Sequence, residues 1–186
     1  MKNILLMIAL AVLTCCGTAQ DKKDNVANAN SATAKEQEKT QNETTMKALV
    51  TYFSASGVTR NAAKQVADII GADLFEITPE QLYTDADLDW RDKQSRSTIE
   101  MQDKSSRPAI NGRCENIAQY DTVWIGFPVW WYIAPTIVNT FIEAHDLSGK
   151  TLNVFATSGG SPVEPCTAEL QKTYPQYTWG QSRLMK

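Results

Sequence analysis

The chain has 186 residues, a length that suits one domain with appended segments. Its hydrophobic fraction of 42% and formal net charge of −3 are typical of an ordinary soluble domain. Mild acidity argues against nucleic-acid binding, which favours clustered lysine and arginine.

Residues 1–16 predict a lipoprotein-type signal peptide. Lys2 provides a positive start, and the apolar run Ile4–Leu13 is too short to span a bilayer, which needs about twenty residues. A cysteine directly after such a core resembles a lipobox, in which signal peptidase cuts before a cysteine that becomes lipidated. We predict lipidation of Cys16, with Cys15 as the alternative. The chain is therefore expected to be exported and lipid-anchored in the cell envelope, facing the periplasm or the surface.

Residues 17–45 predict a disordered linker. They are rich in Lys, Asp, Asn, Ala, Thr and Glu, and they contain no aromatic residue that could be buried. A flexible coil of about 25 residues reaches on the order of 25–30 Å. Such a linker would hold the folded domain, predicted over residues 46–186, just off a membrane.

The most informative stretch is residues 54–59. It follows the first predicted strand, Met46–Phe53, and leads into a predicted helix over Thr59–Ile70. Hydroxyls and backbone amides between a strand end and a helix start form a pocket for phosphate. The stretch contains no lysine, which favours holding a terminal phosphate over transferring it. A serine-rich turn that caps the helix is the alternative. The candidate phosphate ligands are Ser54, Ala55, Ser56, Gly57, Val58 and Thr59.

A second strand is predicted at Leu74–Ile77, and the pattern then weakens between Gln81 and Pro108. A surface helix is expected somewhere in Asp87–Gln102, although the apolar periodicity is poor. Trp90 is predicted as a surface anchor in preference to a ligand contact.

The second half of the chain alternates strands with helices. Strands are predicted at Thr122–Phe127, Thr151–Thr157 and Tyr177–Leu184; helices are predicted to begin at Pro135 and to span Pro165–Tyr174. This alternation predicts a parallel sheet with helices on both faces. Ligands of such sheets bind beyond the carboxyl ends of the strands. The loops that follow the first, third and fourth strands are therefore expected to form one site.

Three segments, in the same order, resemble the flavodoxins. Residues 54–59 resemble the flavodoxin T-x-T-G-x-T phosphate loop, residues 122–131 are similar to the strand and G-x-P-x-W-W loop, and residues 155–161 look like the second ring-contacting loop. The resemblance implies an α/β fold with a doubly wound parallel five-stranded sheet of order 2-1-3-4-5. It also implies FMN, bound noncovalently.

Flavodoxins normally end in a fifth helix, and this chain ends at Lys186 without one. Loss of that helix would uncover apolar surface on one face of the sheet. We therefore expect self-association or a marginally stable domain.

An FMN ring requires flat contacts, and the loop after the third strand offers three consecutive aromatic residues. They cannot all face inward, so one is expected to cover the ring and another to pack against the neighbouring helix. A hydrophobic staple between strand and helix is the alternative. By resemblance, the loop after the fourth strand hydrogen-bonds the ring. The candidate ring contacts are Pro128, Val129, Trp130, Trp131, Tyr132, Thr157, Ser158, Gly159 and Gly160.

The remaining reactive residues are predicted to be structural. His145 is expected at the end of the third helix, where a partly charged imidazole suits the helix dipole. Cys114 and Cys166 fall at opposite ends of parallel strands, roughly 17 Å apart, so we predict free thiols. We predict no catalytic side chain and no metal site.

These observations favour a membrane-tethered electron-transfer protein whose partner is a redox protein or a small-molecule acceptor. Without a cation beside the phosphate, the bound flavin should have a low potential. An FMN-dependent NAD(P)H:quinone-type reductase is one alternative, so whether the protein is an enzyme stays open here. A non-redox adaptor that retains the fold is the other.

Overall fold

The structure, a computed structural model, describes residues 46–185, so the predicted signal peptide, its lipidation site and the linker lie outside the described residues. Strands and helices alternate along this part of the chain. The elements are β1 Ala48–Tyr52, α1 Val58–Ile70, β2 Asp73–Glu76, α2 Arg96–Gln102, β3 Thr122–Pro128, α3 Thr136–Ala144, β4 Thr151–Thr157, α4 Glu164–Thr173 and β5 Thr178–Met185.

The five strands form one parallel sheet of order β2-β1-β3-β4-β5, which confirms the predicted fold class. Tyr52 is in register with Gly126, and Pro128 with Thr157. The carboxyl ends of β1, β3 and β4 therefore lie side by side. Any residues that follow these strands emerge at one edge of the sheet.

The three central strands are almost continuously buried because helices or loops cover both of their faces. On one face, Ala63 and Val66 of α1 pack against Val50 and Phe155. On the other face, α3 contributes the larger core. Burial of these apolar surfaces is the main term that stabilises the domain.

The apolar residues of α1 recur at helical spacing, which predicts one buried stripe formed by Ala62, Ala63, Val66, Ile69 and Ile70. The buried stripe is shorter: the first three residues are buried, but Ile69 is 78% exposed and Ile70 is also exposed. The cluster packed on this helix ends at Ala67, so the last turn contacts no core. Gly71 ends the helix in a left-handed conformation with a φ of 65°.

Within residues 46–185 no helix follows β5. The expected uncovered apolar surface is not found at the two large aromatic residues of the α1 face, since Trp124 and Phe155 are both buried. Arg183 of β5 places its guanidinium 5.8 Å from the centre of the Trp124 ring. Asn153, also buried, accepts a hydrogen bond from the Gln181 N–H at 2.6 Å.

The two thiols of the domain are free and lie in different surroundings. The Cys114 N–H donates to His145, whereas the Cys166 Sγ donates to the Tyr132 carbonyl at 3.3 Å. Burial raises the pKa of both thiols, to about 11 for Cys166, so both are protonated at neutral pH.

Among the helices of residues 46–185, none has the length and apolar character needed to cross a membrane.

Candidate functional site

A cleft of about 1030 Å³ lies at the carboxyl-end edge of the sheet. The loops after β1, β3 and β4 all contribute to its lining, and no lining residue carries a charge. The predicted residues that line it are Ala55, Ser56, Val58, Thr59, Pro128, Val129, Trp130, Trp131, Tyr132, Ser158, Gly159 and Gly160. Three predicted residues, Ser54, Gly57 and Thr157, are not part of its lining.

The β1–α1 loop turns sharply into α1. Gly57 has a φ of 87°, a conformation that glycine adopts without steric cost, and its N–H donates to the Ser54 Oγ at 3.1 Å. No side chain of the described residues caps the N-terminus of α1. The first N–H groups of a helix have no partner within it, and they carry a partial positive charge. This end of the cleft therefore suits an anion.

Thr59 and Thr157 connect two of the lining loops. Their hydroxyl oxygens are 2.7 Å apart, and both side chains are buried. When Thr157 is the donor, the hydroxyl hydrogen of Thr59 is free for a ligand. Thr59 lines the cleft, so it combines a supporting role with the predicted ligand contact.

Arg60 does not supply a cation to the cleft. Its guanidinium pairs with the Glu76 carboxylate at 2.6 Å on the exposed side of α1. The Tyr52 hydroxyl donates to the same carboxylate at 3.1 Å. The groups that this end of the cleft offers to an anion are thus neutral donors and the helix terminus.

The loop after β3 forms a two-residue turn whose tip is Trp131 and Tyr132. Trp130 and Ile133 exchange two backbone hydrogen bonds, of 3.1 and 3.0 Å. The tip residues have φ values of 46° and 65°, which only glycine, asparagine and aspartate adopt readily. Strain of this kind costs of order 1–3 kcal/mol per residue and is concentrated at functional sites. The turn places two exposed aromatic side chains at the cleft, Trp131 (43% accessible) and Tyr132 (63% accessible).

Trp130 has a different role from its neighbours. Its ring makes edge-on contacts with Phe53 and Tyr83, with centroid distances of 5.6 and 5.5 Å. One of the three aromatic residues thus packs against the core, in the cluster that α3 also joins. The rings that it contacts follow β1 and lie in the β2–β3 connection.

Several polar groups of the loop after β4 hydrogen-bond one another. The Ser158 Oγ accepts from the N–H groups of Gly160 and Ser161, at 3.0 and 2.6 Å. The Gly160 amide, predicted to contact a ring, is therefore engaged within the loop. Ser161 and Pro162 also line the cleft. Ser161 ends the segment that resembles the second ring-contacting loop but was not among the candidate ring contacts, and Pro162 lies beyond that segment.

The β2–β3 connection contributes a wall that sequence reasoning did not assign. Leu88, Trp90 and Ser97 all line the cleft. Trp90 is 71% exposed, which agrees with a surface position, and it also lines the cleft, where it is placed to contact a ligand. The sequence feature that could have indicated this part of the cleft is Trp90, a large aromatic residue within an otherwise polar stretch.

His145 lies outside the cleft lining and is structural, as predicted. Its Nε2 accepts from the Cys114 N–H at 2.9 Å, so its Nδ1–H donates to the Phe141 carbonyl at 2.7 Å. Burial is the main cause that lowers its pKa below 6.5, and Arg113 adds to the effect. The expected partial charge is therefore wrong, since the buried ring is held neutral.

Comparisons with known proteins agree on one kind of protein. A family model described as flavodoxin matches residues 47–186. A candidate flavoprotein from Bacteroides eggerthii DSM 20697 is 53% identical, with a TM-score of 0.74, and the match covers 75% of this chain and 87% of that one. A candidate flavoprotein from Bacteroides uniformis ATCC 8492 is 52% identical with the same TM-score, covering 75% of this chain and 89% of that one.

A more distant structure shows the same fold. A flavoprotein from Lactobacillus acidophilus NCFM, in complex with FMN, is 21% identical with a TM-score of 0.61. That match covers 75% of this chain and 93% of the other. No curated protein matches the chain.

Proposed function

Because the chain belongs to the flavodoxin family, whose model matches residues 47–186, we propose that it binds FMN noncovalently and acts in electron transfer. The observation that carries this proposal is the convergence of three loops on one uncharged cleft of about 1030 Å³. The cleft has an uncapped helix terminus and exposed aromatic side chains, and FMN has both an anionic tail and a flat ring.

The residues present fit the phosphate of FMN. The hydroxyls of Ser56 and Thr59 line the cleft beside the first turn of α1, where unpaired N–H groups favour an anion. Gly57 brings the backbone around without a Cβ. These groups would hold the phosphate through neutral donors, in the manner predicted for residues 54–59.

The residues also fit the ring. Trp131 and Tyr132 expose large apolar faces that a flat heterocycle would bury, and stacking contributes about 0.5–1.5 kcal/mol beyond that burial. Their turn is held by hydrogen bonds on both sides, so little order is lost when a ligand binds. The Ser158 hydroxyl hydrogen remains available to a polar ring edge.

When bound, FMN supplies the electron-transfer chemistry, and the chain positions the ring and sets its electrostatic surroundings. The phosphate adds negative charge, and no lining residue carries a compensating positive charge. Addition of an electron to the ring is then disfavoured. We expect a midpoint potential below that of free FMN.

A reductase of small acceptors is the second candidate function. The size of the cleft favours it, since about 1030 Å³ is slightly more than the 300–1,000 Å³ of a pocket that encloses one ligand of drug size. A second flat molecule could then approach the ring. Reduction of the bound flavin by NADH or NADPH without another protein would support the reductase, and a strict need for a partner protein would support the electron carrier.

We also propose that the domain is tethered to a membrane of the cell envelope. This proposal rests on the sequence, in which Lys2 and the apolar run Ile4–Leu13 precede Cys15 and Cys16. Mass spectrometry of the chain expressed in a bacterium should find a lipidated N-terminal cysteine. Cys16→Ser should abolish lipidation, and Cys15→Ser should preserve it; the opposite pattern would move the anchor to Cys15.

Titration of the apoprotein with FMN and with riboflavin, followed by flavin fluorescence, tests the cofactor proposal. FMN should bind at least 10-fold more tightly than riboflavin, because only FMN carries the phosphate. Ser56→Ala should weaken FMN alone, whereas Trp131→Ala should weaken both flavins. A folded chain that binds neither flavin would refute the proposal.

A further inference from the structure

Ser97 has a buried hydroxyl whose hydrogen-bonding capacity is unused. The residue is 2% exposed and lines the cleft, and its Oγ has no partner among residues 46–185. More than nine in ten buried polar groups in proteins have a partner, so each exception requires a reason. A group in a ligand-binding cleft can obtain its partner from the ligand.

The residues around Ser97 are fully engaged. The Ser95 Oγ donates to the Thr98 Oγ1 at 2.8 Å, and the Arg96 side chain pairs with Glu100 at 2.7 Å. Both of these contacts hold the start of α2 in place. The Ser97 hydroxyl is thus the unmatched group on an otherwise ordered segment.

The backbone of Ser97 is fixed to a turn that carries two more lining residues. The Ser97 N–H donates to the Asp87 carbonyl at 3.0 Å, and the Asp87 carboxylate accepts from the Thr84 N–H and hydroxyl at 2.8 Å each. Leu88 and Trp90 follow in the same turn and line the cleft. One segment fixed by hydrogen bonds, residues 84–98, therefore contributes three groups to the cleft lining: the aromatic ring of Trp90, the aliphatic side chain of Leu88 and Ser97 with its unpartnered hydroxyl.

We propose that residues 84–98 form a fourth flavin-binding element, in which Trp90 stacks on the ring and the Ser97 hydroxyl hydrogen-bonds its polar edge. This inference rests on the proposed function. The ring is the only part of FMN with both a flat apolar face and polar edge atoms. The phosphate already has its donors in the loop after β1, and this segment offers the cleft no charge.

The energetic argument also favours a ligand contact over a structural role. A hydroxyl buried without a partner costs free energy in the apoprotein, so its removal should not destabilise the fold. In the complex, the same hydroxyl would gain a hydrogen bond. Ser97 would then matter for flavin affinity and not for apoprotein stability.

Titration of the full chain with FMN and riboflavin tests this inference. Ser97→Ala should raise the Kd of both flavins by the same factor, about 3- to 10-fold, as expected for one neutral hydrogen bond. Trp90→Ala should also raise both Kd values and reduce the quenching of flavin fluorescence. Urea unfolding of both apoprotein variants should match the wild type or show slightly higher stability.

Thr51→Val provides the matched control. Thr51 also has a buried hydroxyl with no partner in the described part of the chain, but it lies outside the cleft lining, so both Kd values should be unchanged.

The outcomes separate the two proposals. If the wild type binds both flavins but Ser97→Ala and Trp90→Ala leave both Kd values within twofold, this inference is overturned and the cofactor proposal stands. A loss confined to FMN would assign Ser97 to the phosphate, and a marked loss of apoprotein stability would make it structural; either result overturns the inference. A wild type that binds neither flavin overturns both.

Discussion

Thr59 and Thr157, 98 residues apart in the chain, share a buried hydrogen bond of 2.7 Å. It joins the first turn of α1 to the end of β4, at the edge where the cleft lies. The bond thereby fixes the distance between two of the loops that line the cleft.

Thr157→Val should therefore lower the free energy of unfolding by about 1–3 kcal/mol, because it leaves the buried Thr59 hydroxyl without its partner. FMN affinity should fall as well, because the loops lose their connection. Urea unfolding and FMN titration measure the two effects. Thr157→Ser keeps the hydroxyl and should lose less; equal stability of the wild type and Thr157→Val would contradict this account.

The strained turn at Trp131 and Tyr132 gives a second prediction. Because Tyr132 has a φ of 65°, Tyr132→Gly should be more stable than Tyr132→Ala by about 1 kcal/mol or more. In regular helices and strands the order is the opposite, because a protein with glycine is usually less stable than one with alanine at the same position. Thermal or urea unfolding of the pair checks the order, and equal stabilities would mean that the turn relaxes. Both variants should bind FMN more weakly than the wild type.

Gly126 lies on β3 directly below the Phe155 ring. A Cβ at this position would overlap that ring, which is fully buried and cannot move aside. Gly126→Ala should therefore destabilise the domain by about 1–3 kcal/mol, the usual range for overpacking. Gly159→Ala is the matched control, since nothing lies near its added Cβ, and it should leave the unfolding midpoint unchanged.

His145 should make the stability depend on pH in mildly acidic solution. Burial lowers its folded-state pKa below 6.5, so the unfolded state binds the proton more readily. The contribution of His145 to stability should be constant at pH values well above 6.5, and it should fall as pH decreases through 6.5, by at most about 1.4 kcal/mol per pH unit.

Among the charged neighbours of His145, Arg113 strengthens the shift and Glu115 opposes it. Carboxylates such as Glu143 have folded-state pKa values lowered below 4.5, so they lose their contribution to stability as pH falls towards and below 4.5. The window from about pH 6.5 to 5.5 therefore reports mainly His145. Urea unfolding across this window measures the effect. His145→Gln should flatten the dependence, and a wild type with constant stability down to about pH 5.5 would rule it out.

Much of the fold could be predicted from local patterns. The parallel strands and the positions of α1, α3 and α4 agree with the structure within a few residues, because buried strands and amphipathic helices have short-range periodicities. The strand order was implied by the resemblance to the flavodoxins and not by these patterns. Errors arose where packing decides burial. Ile69 continues the apolar stripe of α1 but lies beyond the core, and the sheet contact that ends there cannot be read from periodicity.

The sequence by itself determined the three loops, their shared edge of the sheet and the chemistry that they offer, since each depends on a few adjacent residues. Only the tertiary structure decided which of Trp90, Trp130 and Trp131 packs against the core and which are exposed at the cleft. It also decided that the Ser97 hydroxyl has no hydrogen-bond partner in the described part of the chain. These properties depend on contacts between residues far apart in the chain. A side chain's local sequence states what it can bind, but only the packing around it decides which of its groups remain free.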